Sequence, residues 1–176
     1  MSVNEELREH SEHAHDDFSR KAGGSMAIIA AVLAVVAVYG HLTTTEELLR
    51  QEKASDQWAF YQAKALRRYQ SEVARDLIQI MPGEAAAKTA EKYGANLERY
   101  QKEAEEIQEK AKEYGQESEI AGRKALRLHV GEIFLELAIV FSSLAILARR
   151  SLFWVIGIGS AIIGVLASAT VFLIRH

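Results

Sequence analysis

Two charge-free stretches constrain the fold of this chain more than any other feature. Residues 22–45 and 151–174 contain no Lys, Arg, Asp or Glu. A helix rises about 1.5 Å per residue, so either stretch is long enough to cross a hydrocarbon core about 30 Å thick. The hydrophobic share of 49% and the charged share of 26% are therefore averages over segregated blocks, not the mixture of a soluble domain.

Within the first stretch, residues 26–39 have about the length of a signal-peptide core, but the flanks do not fit one. Six carboxylates (Glu5, Glu6, Glu9, Glu12, Asp16, Asp17) precede it against three cations, and Ala37-Val38-Tyr39 is a poor cleavage site. An acidic, His-containing tail over residues 1–22 and an uncleaved transmembrane helix over 23–42 are predicted. The strongest span is 152–174, where Phe153 and Trp154 stand beside Arg149 and Arg150 as an aromatic belt with interfacial cations would.

Between them, the apolar run 137–148 is too short to cross. A full span must cover 128–148, linked to the last by a short basic turn at 149–151. That span takes in Glu132 and Glu136 and places Glu136 within about 5 Å of its centre. Three spans put the termini on opposite sides. Arg20, Lys21, Arg149 and Arg150 predict a cytoplasmic N-terminus and a periplasmic insert. Arg123, Lys124 and Arg127 pull the other way.

The insert, residues 43–127, holds 15 of the 21 Lys and Arg and 16 of the 24 Asp and Glu, so it is nearly neutral, which argues against nucleic acid as a partner. Its strongest break is Met81-Pro82-Gly83, almost midway. Two arms of about 60 to 67 Å follow, an extramembrane helical hairpin with its tip at 81–83. The return arm carries a regular heptad: Ala86, Ala90, Tyr93, Leu97, Tyr100, Ala104, Ile107, Ala111, Tyr114, Ser118, Ala121, Ala125, Leu128, Glu132, Leu135. Alternation of large with small residues suits close antiparallel packing, and the seam runs on into the second span. On the outgoing arm the expected stripe is Ala59, Ala63, Leu66, Val73, Leu77 and Ile80, interrupted by Gln70. Thr44 and Glu47 have capping-box spacing, which would start a fresh helix after Gly40. The predicted class is an all-α membrane protein of three transmembrane helices, with a long antiparallel coiled-coil hairpin between the first and second.

Candidate chemistry is sparse. His129, Glu132 and Glu136 fall on one helical face and could pass ions or protons; the plainer reading is a snorkelling Glu132 and a Glu136 bonded to Ser142 or Ser143 of a neighbouring protomer. His10, His13 and His15 are weak metal-ligand candidates in a solvated tail, and no metal or other cofactor is predicted. Ser160, Gly164 and Ser168 repeat at four-residue steps, with Gly157 and Ala161 beside them, and Ala27, Ala31 and Ala34 form a similar stripe on the first span; such rows pack helices closely, within or between protomers. No Cys is present, so disulfides and cysteine catalysis are excluded. Nothing pairs a nucleophile with a base, and no enzyme is expected.

The stretch Glu52-Lys53-Ala54-Ser55-Asp56-Gln57-Trp58-Ala59-Phe60-Tyr61-Gln62-Ala63-Lys64 resembles the signature of an uncharacterised bacterial membrane family known only as a domain of unknown function. The likeness extends over the acidic tail, the span, the charged insert and the two further spans, and it implies a bacterial inner membrane. Trp58 and Tyr61 would lie about 24 Å beyond the first span, too far for a membrane belt, and are expected to pack near the hairpin's base or against another subunit.

The function expected is a scaffold or accessory subunit in the lipid bilayer, assembling as a homo-oligomer or into a larger membrane complex. Tyr93, Tyr100 and Tyr114 would serve that packing together with Trp58, Tyr61 and the Ser160 row. The alternatives are a homo-oligomeric ion or proton pathway lined by Glu132 and Glu136, and a ligand sensor through the Trp58 region.

Overall fold

The computed structural model describes residues 3–174, with side chains from Asp17 onward. Helices α1 (Val3–Gln79), α2 (Glu84–Ala148) and α3 (Ser151–Ala169) are followed by a 3-10 turn, Thr170–Leu173. No strand occurs among the described residues. Each of the three helical stretches is long and apolar enough to cross a membrane.

The expected fresh start at Thr44 does not occur, because α1 runs unbroken through Gly40 and Thr44. A cap is useful only where backbone N–H groups lack intrahelical partners, and here they have them. The flanking Thr43 and Thr45 hydroxyls donate back to the carbonyls of Tyr39 and His41, at 2.8 and 2.9 Å. The break between α1 and α2 does fall at Pro82. Its ring cannot continue a helix. Gly83 turns the chain at φ 119°, a region that a side chain would strain. The Met81 N–H donates to the Ile78 carbonyl at 2.9 Å to close the turn.

The chain divides into two compact units, one of Met1–Thr45 with Ile120–His176 and one of Glu46–Glu119. In the second, α2 buries Ala90, Ala104, Ala111 and Ser118, and Tyr93, Tyr100, Ile107 and Tyr114 are half-buried between them. Opposite them α1 brings Ala54, Gln57, Tyr61, Lys64, Ser71, Arg75 and Ile78, all buried or half-buried. Pairs at 50 and 117, and at 64 and 103, show that the two helices approach each other from the turn outward.

The expected outgoing stripe is overturned: Ala59, Ala63, Leu66, Val73, Leu77 and Ile80 are all exposed. The reason is the opposing surface. A seam of alanines and tyrosines on α2 accepts long polar side chains lying over the rings, with the Lys53 and Lys64 ammonium groups 5.6 and 5.5 Å from the centroids of Tyr114 and Tyr100. Hydrophobicity alone therefore misassigned the inner face of α1.

In the other unit, Ile29, Val36, Leu128, Leu135, Ala138 and Ala161 form the core. The alanine stripe expected to pack on the first span is turned outward, since Ala27, Ala31 and Ala34 are exposed while Ala22, Ile29, Val36 and Gly40 are buried. On α2 the buried row reads Ala121, Ala125, Leu128, Gly131, Leu135, Ala138, Ser142, Ala145. It departs from the expected seam at one position, with Gly131 taking the place of Glu132.

Candidate functional site

The displacement of Glu132 follows from how closely α2 and α3 approach. A Cβ built on Gly131 would lie 2.0 Å from Ser168 Oγ and 2.7 Å from the Gly164 carbonyl oxygen. No residue but glycine fits, and the neighbouring Glu132 rotates off the seam. Further along the same crossing, a Cβ on Gly157 would meet the Ala138 carbonyl oxygen and Ser142 Oγ at 3.0 Å. Ser160 Oγ donates to the Phe134 carbonyl at 2.7 Å. The Ser160, Gly164 and Ser168 row thus packs α3 against α2 within the chain.

Glu132 is tied into a short polar chain. Its Oε2 lies 3.1 Å from His129 Nδ1, and His129 Nε2 lies 3.1 Å from Thr44 Oγ1. With Nδ1 as the donor to the carboxylate, Nε2 is left to accept the Thr44 hydroxyl proton, and every member has a partner. Gly40 lies beside the ring, where an added Cβ would make an ordinary contact with His129 Cε1 at 3.5 Å. Thr44 takes a role here that its capping-box spacing concealed.

Glu136 does not join this group. It is exposed, on an outward row of α2 with Ile133, Val140, Ser143 and Leu147. Among the described residues no side chain bonds to it, whereas the Ser142, Ser168 and Thr170 hydroxyls each donate to a carbonyl of their own helix or turn. The two carboxylates that share a helical face in the sequence therefore differ in their surroundings: one is satisfied internally and the other is presented outward. Ser142 is buried and bonded to the Ala138 carbonyl at 2.8 Å, which removes it as a partner for Glu136.

Trp154, at the start of α3, donates from Nε1 to Ser25 Oγ at 3.0 Å, and the Phe18 ring meets it edge-on at 6.3 Å. In the other unit Trp58 and Tyr61 form an edge-to-face pair with centroids 5.6 Å apart, Tyr61 half-buried and Trp58 exposed. The Arg50 guanidinium bonds Glu117 at 2.6 Å, and Lys64 bonds Glu103. That bond to Lys64 holds the Glu103 carboxyl below the ordinary carboxylate range, with the charges of Lys64, Arg99 and Arg67 adding to it. Ser118 Oγ donates to the Glu47 carbonyl at 3.1 Å.

His10, His13 and His15 lie outside the residues whose side chains are described. Among the described residues no three His, Asp or Glu converge as a metal site would require. Sequence reasoning missed Gly131, Ser25 and the polar inner face of α1. For Gly131 there was a signal, a glycine inside an otherwise helix-forming span, which commonly marks a close backbone approach.

A family model described as a domain of unknown function (DUF4337) matches residues 5–174. No curated protein and no solved structure matches the chain.

Proposed function

We propose that this chain, which belongs to that family of domains of unknown function, is a non-enzymatic scaffold or accessory subunit that works as a homo-oligomer in the bacterial inner membrane. Its three apolar helices span the bilayer, with the N-terminus cytoplasmic and residues 43–127 forming a periplasmic antiparallel coiled-coil hairpin. The constant sum of paired positions, 50 with 117 and 64 with 103, supports the antiparallel hairpin.

The observation that carries the assembly reading is the outward stripe of α1. Ala59, Ala63, Leu66, Gln70, Val73, Leu77 and Ile80 alternate four and three residues apart over three heptads, and all seven are exposed after the hairpin's own seam is filled. Leu66 and Leu77 are 57% and 56% exposed and Ile80 81%, flanked by Phe60, Tyr69 and Met81. Apolar heptads sustained over this length are the signature of a helix with a helical partner. Copies in one membrane share an orientation, so the stripes meet in parallel and Gln70 faces its own counterpart. A polar residue at one core position sets register in such pairs.

Replacing Leu66, Val73 and Leu77 together by Gln tests the reading. The filled inner seam keeps the helix content, while native mass spectrometry of the protein in nanodiscs is expected to shift from an oligomer to a monomer. An unchanged oligomeric mass removes this stripe as the assembly surface.

A further inference from the structure

We infer that Glu136 marks a second contact between copies, inside the membrane, at which its carboxyl group hydrogen-bonds to the same group of a second copy of this chain. The inference rests on the homo-oligomeric reading above and adds the intramembrane face to it.

Four observations converge on that face. Glu136 lies near the middle of the apolar segment 128–148, where an ionisable side chain is costly unless it meets another polar group or water. The helix does not turn it inward: Leu135 and Ala138 of the inner row are fully buried, whereas Glu136 and Leu137 between them are exposed. The other polar side chains nearby are already satisfied within the chain, Ser142 by the Ala138 carbonyl, Ser160 by the Phe134 carbonyl and Glu132 by His129. Ile133, Glu136, Val140, Ser143 and Leu147 recur at alternating three- and four-residue steps on the exposed side of α2, which is the spacing of a helix-pairing face.

Depth selects the occupant. Whatever covers this row must offer polar groups at the level of Glu136 and again one heptad on, at the level of Ser143, with apolar groups between. A second copy in the same membrane has the same orientation, so it presents carboxyl opposite carboxyl and hydroxyl opposite hydroxyl with no adjustment of register. One proton shared between the two carboxyls would make the pair complementary and remove the repulsion of two anions. A lipid chain meets neither requirement.

The absence of cysteine from the chain makes a direct test available. Single cysteines are placed at Val140 on the proposed face, at Leu166 on the exposed side of α3, and at Val73 on the outward stripe of α1, and the full-length proteins are oxidised in native membranes. Val140→Cys is expected to form disulfide-linked dimers well above Leu166→Cys. Adding Glu136→Leu is expected to lower that yield about five-fold or more, and Glu136→Gln, which keeps a hydrogen-bonding group, to leave most of it. If Val73→Cys cross-links but Val140→Cys does no better than Leu166→Cys, copies meet through the hairpin alone and the intramembrane contact is wrong. An undiminished yield with Glu136→Leu overturns the role of the carboxyl. Failure at both Val73 and Val140 removes the homo-oligomeric reading itself.

Discussion

Gly164 and Gly131 pack backbone to backbone where α3 crosses α2: a Cβ on Gly164 would stand 2.8 Å from the Gly131 carbonyl oxygen and 2.9 Å from Leu135 Cγ. This contact orders the unit that contains all three apolar segments, because it sets which side of α2 is buried. Gly164→Val is expected to destabilise that unit by about 1–3 kcal/mol through overpacking against backbone atoms that cannot move aside. Gly159, with nothing within 4 Å of its built Cβ, is the control. The readout is resistance to unfolding by SDS in mixed micelles; equal losses at Gly164→Val and Gly159→Val would show that the close approach carries no weight.

Ala111 is fully buried in the other unit, beside the Lys53 and Tyr114 pair. Ala111→Leu should push the helices apart and cost about 1–3 kcal/mol. Ala63→Leu, on the exposed face, should leave that unit's own stability unchanged. Thermal melts followed by circular dichroism separate the two, and a stable Ala111→Leu protein would argue for a looser seam.

The Lys64 bond to Glu103 predicts a pH dependence. A carboxyl whose folded value lies below its unfolded value of about 4.3 stabilises the fold above that pH and loses its contribution as pH falls through the lower folded value. The wild type should therefore melt above Glu103→Gln at neutral pH, and the gap should close under acid conditions below about pH 4. A gap that is constant across this range would mean that the ion pair does not contribute. The size is expected to be small, since the site is open to solvent.

Trp154 anchors the start of α3 through Ser25. Trp154→Phe keeps an aromatic side chain, smaller than the indole, and removes the donor; the lost hydrogen bond is expected to cost about 0.5–1.5 kcal/mol. Ser25→Ala should add nothing in that background if the two act as one interaction. Additive losses would assign Ser25 its stability through the Ala22 carbonyl bond instead.

If copies pair through the outward stripe of α1, Gln70 sets their register. Gln70→Leu on the outward stripe is expected to preserve association but to relax its register, since a buried polar residue specifies alignment at a cost in stability. Cross-linking of cysteines at Leu66 and Val73 should then spread from one pairing to several. A single pairing in both proteins would show that Gln70 is not in the contact.

Much of the architecture was legible because it depends on local chemistry. Charge-free lengths identify two of the three helices able to cross a membrane, Pro82 with Gly83 places the one turn between the long helices, and the small residues of α2 announce a close-packed seam over 90–118. Each of these is settled by the properties of neighbouring residues, whatever lies opposite.

What only the tertiary structure decided is which face of a helix meets which partner. On α1, an apolar stripe and a polar stripe both have helical spacing, and the tyrosines of α2 take the polar one, because lysine stems and arginines lie well over rings and beside acids. On α2, one residue of phase separates Gly131 from Glu132, and the backbone of α3 resolves it in favour of the glycine since no side chain fits. That single step leaves Glu132 bonded to His129 and Glu136 facing outward. A helical sequence states its period, but its phase is chosen by the surface it packs against, and with it which of its residues remain free for a partner.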